Sequence, residues 1–166
     1  MANISLTVTD LDLDAGTYKV DFLAEGSEID DGQATAAYFT AFYLNTLVNT
    51  PDFLAGVGEF GSNLINSLTR DNPNRSMTNK PARMKLLLID KDVETGRFYT
   101  TLENSGGDPT GESLPTTAQV VGAYMRFLIT DMTFQERVWA FAEEFVAKHE
   151  GASIPNTEHA PSSKAA

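Results

Sequence analysis

The chain has 166 residues, 42% of them apolar, with no cysteine and a formal net charge of −11. That length and composition suit one soluble domain able to bury a real core, and the missing cysteine excludes disulfides, thiolate nucleophiles and cysteine-ligated metal centres. The acidic balance disfavours direct contact with nucleic-acid phosphates, which takes clustered Lys and Arg, and no uninterrupted apolar run is long enough to suggest a membrane span.

The opening MANISLTV lacks a basic region followed by a long apolar stretch, so no secretory signal is expected and the cytoplasm is the default compartment. Ile4, Leu6 and Val8 alternate with Ser5, Thr7 and Thr9, the period of two of a strand with one buried face. The stretch TDLDLDAGTY then places Asp10, Asp12 and Asp14 at every second position ahead of Gly16, and Tyr18, Val20 and Phe22 resume the alternation. Asp favours turns and Gly tolerates positive φ, so this is a hairpin. Residues 33–48 are apolar around most of the circumference, as in a helix buried on several sides. Thr50-Pro51-Asp52 supplies an N-cap, a proline at the first helical position and a first-turn acid, and Phe53, Val57, Phe60 and Leu64 form the next helix's stripe. Gly56, Gly58 and Gly61 weaken that helix, so they serve either close backbone approach or a break.

A connector at 70–83 follows. The basic residues Arg70, Arg75, Lys80, Arg83 and Lys85 answer only Asp71 there, whereas residues 1–60 carry ten acids against Lys19 alone. An acidic front and a basic connector can attract each other within one chain or between copies, which makes the five basic residues the interaction candidates. The next hairpin, 84–102, contains Leu86-Leu87-Leu88-Ile89, apolar on both faces, which places its first strand in the middle of a sheet. A helix over 114–130 precedes another in which Thr133 and Glu136 have capping-box spacing. Phe134, Val138, Phe141, Phe145 and Val146 are its expected buried stripe, with Trp139 also assigned to the core, and Glu136, Arg137, Glu143, Glu144 and Lys148 facing water. Gly151 ends it, and residues 152–166, small and polar with two prolines, read as a flexible tail unless a partner orders them.

Two stretches match at a shift of 80: Leu6 with Leu86, Asp10 with Asp90, Asp12 with Asp92, Asp14 with Glu94, Gly16 with Gly96 and Tyr18 with Phe98. Shifts of 82 and 81 carry the match into the helices, pairing Phe42 with Tyr124, Phe53 with Phe134, Val57 with Val138 and Phe60 with Phe141. The expected architecture is α+β: two tandem ββαα pseudo-repeats, 1–69 and 84–151, form one domain with a four-stranded, mostly antiparallel sheet and helices packed on one face. A pseudo-twofold axis would relate the halves, and an interleaved homodimer is the variant of the same idea.

The acidic turns invite a calcium reading through Asp10, Asp12, Asp14, Asp90, Asp92 and Glu94. A helix-loop-helix calcium loop needs glycine at position 6 and a bidentate glutamate at 12; counting from Asp10, those positions hold Ala15 and Asp21, and in the second copy Thr95 and Thr101. The favoured expectation is a solvated acidic hairpin, with a weak divalent-cation site as the alternative. No catalytic residue and no cofactor are expected. His149 and His159, the two histidines, fall at a helix end and in the tail, no serine has a histidine poised beside it, and no phosphate-cradling loop occurs.

The opening ISLTVTD, running into an acidic turn, a second strand and an Ala-rich helix, resembles the small acidic hairpin-plus-helix proteins scattered through tailed-phage genomes. The resemblance carries no functional residue. It implies a non-enzymatic, phage-type virion component or assembly accessory that acts through contacts with itself or other virion proteins, made in the host cytoplasm and carried in the virion thereafter. The alternative expectation is an acidic mimic of DNA that blocks a host nuclease or other DNA-binding protein.

Overall fold

A computed structural model of the chain describes residues 2–26, 29, 32, 35–77, 80–92 and 94–148. The fold is α+β, with element order β1 (Asn3–Asp12), β2 (Thr17–Glu25), α1 (Ala36–Leu47), α2 (Pro51–Asp71), β3 (Ala82–Asp92), β4 (Arg97–Gly106), α3 (Thr117–Ile129) and α4 (Met132–Lys148). The strands form one antiparallel sheet in the order β2-β1-β3-β4. The doubly apolar run of β3 thus does lie at the centre, where one face meets helices and the other is shielded in part by neighbouring strands.

Alternation sets the two faces. Register aligns Phe22, Leu6, Leu86 and Leu102 across all four strands, and with Ile4, Val8, Met84 and Leu88 they form the floor of the core. Helices α1 and α3 lie on this floor. Phe22 meets Tyr38 and Phe42 of α1 edge to face, with ring centroids 6.0 Å apart in both pairs. The second layer is crossed: α2 packs on α3, and α4 packs on α1. Phe53 and Phe60 of α2 meet Tyr124 of α3, while Phe141 and Phe145 of α4 meet Phe42 of α1. Each outer helix makes its main helix contact across the domain, although α4 also touches α3, so the core requires both parts of the chain.

The helix starts are chemically marked. Thr35 and Thr50 cap α1 and α2 by accepting from the Tyr38 and Phe53 amides, with Pro51 opening α2 as the sequence predicts. The capping box, however, stands at Thr116 and Gln119 at the head of α3. At α4 the Asp131 side chain accepts from the Thr133 amide at 2.9 Å, so the helix begins ahead of Thr133 and the expected Thr133–Glu136 box does not define its start. Further corrections concern boundaries and burial. Helix α2 runs through Arg70 to Asp71 and β3 begins at Ala82, which shortens the connector at both ends. On α4 the stripe of Phe134, Val138, Ala142 and Phe145 is buried, but Val146 is exposed and Trp139 is 58% exposed, because both sit to one side of the line facing α1. Gly151, the two histidines and the expected tail lie outside the described residues.

Candidate functional site

The acidic turns are the first place to look for chemistry. Asp10 and Asp90 are 6% and 1% exposed, against the expectation of a solvated carboxylate row. Alternation itself puts Asp10 and Asp90 on the core face, in phase with Ile4, Leu6 and Val8 and with Met84, Leu86 and Leu88. The break in register that follows, between Asp10 and Asp12 and again between Asp90 and Asp92, inserts a residue and takes Asp12 and Asp92 out of that phase to the exposed side. Asp10 accepts from the Ala82 amide at the start of β3 through Oδ2, 2.9 Å away, and from the Ala118 amide in the first turn of α3 through Oδ1, 2.8 Å away. Asp90 Oδ1 lies 3.4 Å from the Ala37 amide in the first turn of α1. A carboxylate at a helix N-terminus satisfies an orphan donor and meets the positive end of the dipole.

Asp12 and Asp92 serve their own turns. Each accepts from the amides two and three residues on, Asp14 and Ala15 in one case and Glu94 and Thr95 in the other, and Gly16 and Gly96 close the turns at φ of 69° and 72°. Asp14 and Glu94 are exposed. Among the described residues no group of three or more His, Asp or Glu side chains is placed to hold a metal ion.

The basic candidates are not gathered into one patch. Arg70 is exposed at the end of α2, and Arg83 and Lys85 stand on β3, on the face away from the helices. Lys80 is exposed before β3. Arg75 is committed internally: its Nη1 donates to the carbonyls of Gly111 at 2.8 Å and Ser113 at 3.4 Å. The Leu114 amide adds a bond to Ser76 O at 2.8 Å, so the connector is tied to the loop before α3. Within that loop, hydrogen bonds from the Ser113 hydroxyl, the Thr110 amide and the Thr110 hydroxyl hold the Asp108 carboxyl well below the usual carboxylate range.

Two features went unread in the sequence. The first is a groove of about 780 Å³ between α1, α4 and the β3–β4 turn, lined chiefly by Phe39, Phe98, Val138, Trp139 and Val146, with Glu94 and Glu143 also on its walls. Trp139 is the signal that could have exposed it, being the residue next to Val138 on a helix and therefore about 100° around from it. The second is the face of the sheet opposite the helices. Register places Leu23, Ser5, Leu87 and Thr101 in one row and Glu25, Asn3, Ile89 and Tyr99 in the next. On the other side of the Leu23 row come Asp21, Thr7, Lys85 and Glu103, then Lys19, Thr9, Arg83 and Ser105. Tyr99 is 51% exposed, with Lys91 Nζ 5.2 Å from its ring centroid. Leu87 and Ile89 were the available sequence signal, since apolar residues on both faces of a strand fit an uncovered contact surface as well as a central position.

No helix among the described residues is long and apolar enough to cross a membrane. Compared with known proteins, the chain matches no family model, no curated protein and no solved structure.

Proposed function

We propose that the chain is a non-catalytic protein-binding module, a phage-type virion component or assembly accessory, whose contact surface is the uncovered sheet face and whose first partner is a second copy of itself. The observation that carries this reading is the composition of that face. An apolar corner of Leu23, Leu87, Ile89 and Tyr99 adjoins rows in which Asp21 and Glu103 alternate with Lys19, Arg83 and Lys85. Two such faces related by a twofold axis can bury the apolar corners while each row meets charges of the opposite sign. Leu87→Glu and Tyr99→Glu should each convert the associated form to monomer in sedimentation velocity. A wild-type chain that stays monomeric at its highest soluble concentration, or variants that associate as it does, would refute the reading. Arg75→Glu is a poor probe of the same surface because it would break the connector's own latch.

We also infer that the domain arose by tandem duplication of a ββαα unit. Support comes from agreement in detail. Asp10 and Asp90 both hold the inward face just before a bulge and both face the first turn of a helix in the opposite half; the turns that follow share the same side-chain cap and the same positive-φ glycine; and Thr35 and Thr116 cap α1 and α3 alike. The acidic-decoy reading has less support, because Lys19, Arg83 and Lys85 interrupt any line of carboxylates across the open face. Enrichment of basic DNA-binding proteins from a host lysate, with no capsid or tail proteins, would favour it instead.

A further inference from the structure

The groove beside Trp139 has a counterpart across the domain. The first is walled by Thr35 and Ala36 at the head of α1, Thr95 and Gly96 in the β3–β4 turn, and Val138, Trp139, Ala142 and Val146 along α4. The second is walled by Thr116 and Thr117 at the head of α3, Leu13 and Asp14 in the β1–β2 turn, and Val57, Gly58, Gly61 and Ile65 along α2. Their sizes differ, about 780 Å³ against about 440 Å³. The smaller one is also bordered by Met77 and Pro115, because the chain leaving α2 turns at Asn72, whose side chain accepts from the Asn74 amide at 3.1 Å, and runs back past the loop before α3.

The chain leaving α4 carries a similar sequence. Asn72-Pro73-Asn74 follows α2, and Ile154-Pro155-Asn156 follows α4. We propose that residues 154–159 dock in the Trp139 groove, whose counterpart the connector reaches at its rim through Met77, with Ile154 and Pro155 against Trp139 and Val146. Geometry permits it. Val146 and Ala147 line the groove at the end of α4, and the few residues from Lys148 to Ile154 reach roughly 20 Å when extended, enough to double back. Ile154 is the one large aliphatic side chain of the sequence beyond residue 148, which suits a groove walled by an indole and by Val146. Thr157 stands where the connector has Arg75, so the guanidinium latch to the neighbouring loop has no equivalent. The tail is therefore held by apolar contact and is more readily displaced than the connector.

This proposal rests on the duplication reading, but its failure is separable from that one, which stands on residues before 149. Trp139 is the single tryptophan of the chain, so its fluorescence reports the groove directly. In the full chain, acrylamide should quench it weakly. The double variant Ile154→Asp with Pro155→Gly should raise the quenching constant about twofold and shift emission to the red, as uncovering a locally docked segment does, while Ser162→Asp leaves both unchanged. Circular dichroism of each protein verifies that the fold is kept. Equal quenching in the full chain and the double variant would overturn the proposal. So would shielding that grows with protein concentration, which would mean that a second copy covers the groove.

Discussion

Asp10→Ala tests whether the inward carboxylate is architecture. The side chain is the acceptor for two buried amides, Ala82 N and Ala118 N, which belong to different elements. Truncation leaves both donors in the interior without that acceptor, at about 1–3 kcal/mol each, so about 2–6 kcal/mol in all. For a chain of this length that corresponds to a fall in Tm of roughly 2–4 °C per kcal/mol. Asp10→Asn keeps one acceptor oxygen and opposes an NH2 to the other amide, so it should fall between Asp10→Ala and wild type. Asp12→Ala removes bonds from an exposed turn and should cost well under Asp10→Ala, about 0.5–1.5 kcal/mol. Urea denaturation followed by circular dichroism measures all three. If Asp10→Ala proves as mild as Asp12→Ala, or if removing the charge stabilises the protein as expected for a ligand deprived of its cation, the structural account of this carboxylate is wrong.

Three further outcomes are expected. A methyl group at Gly56 would collide with the Tyr124 phenol, whereas one at Gly58 meets nothing within 4 Å; Gly56→Ala should therefore destabilise by about 1–3 kcal/mol and Gly58→Ala should stabilise by about 0.5–1 kcal/mol, both read from denaturation midpoints. Thr116→Ala breaks the capping box at α3 and should cost about 1 kcal/mol, with Thr133→Ala on α4 nearly silent by comparison in the same melts. Asp108 has a depressed folded-state pKa, so its contribution to the 108–115 loop is fully present above the unfolded value of about 3.9 and is lost only as pH falls through the lower folded value. The Thr110 and Ser113 amide resonances should accordingly hold their positions at pH 4 and move only in stronger acid; a midpoint at the ordinary carboxylate value would contradict the hydrogen-bond network.

Local signals in this chain were legible and long-range ones were not. Both hairpins, the Thr50-Pro51 helix start and the central place of β3 follow from alternation, turn chemistry and capping, all contained within a few residues. Asp10 is in phase with Ile4, Leu6 and Val8, but the amides that satisfy it lie 72 and 108 positions away, beyond any local signal. Reading Asp10, Asp12 and Asp14 as one solvent-facing row overlooks that Asp10 shares the phase of the buried Ile4, Leu6 and Val8 and that a bulge then separates it from Asp12. The Thr133–Glu136 spacing was genuine, but Asp131 offered its carboxylate to the Thr133 amide first. Trp139 was assigned inside because large aromatics usually are, yet it lies one residue off the line that meets α1. Of the two surfaces proposed for binding, the open face left a trace in Leu87 and Ile89, and the groove had none beyond Trp139 itself.

The central pairing of β1 with β3 joins residues about eighty positions apart in sequence, while each flanking hairpin is local. Hairpins close in about 1–10 μs, and distant strand pairing waits on the loss of chain entropy that brings the ends together. The rate-limiting event in folding should therefore be the meeting of the two hairpins along that seam. Because the outer helices cross it, neither side can melt alone, and the domain should open in a single concerted transition.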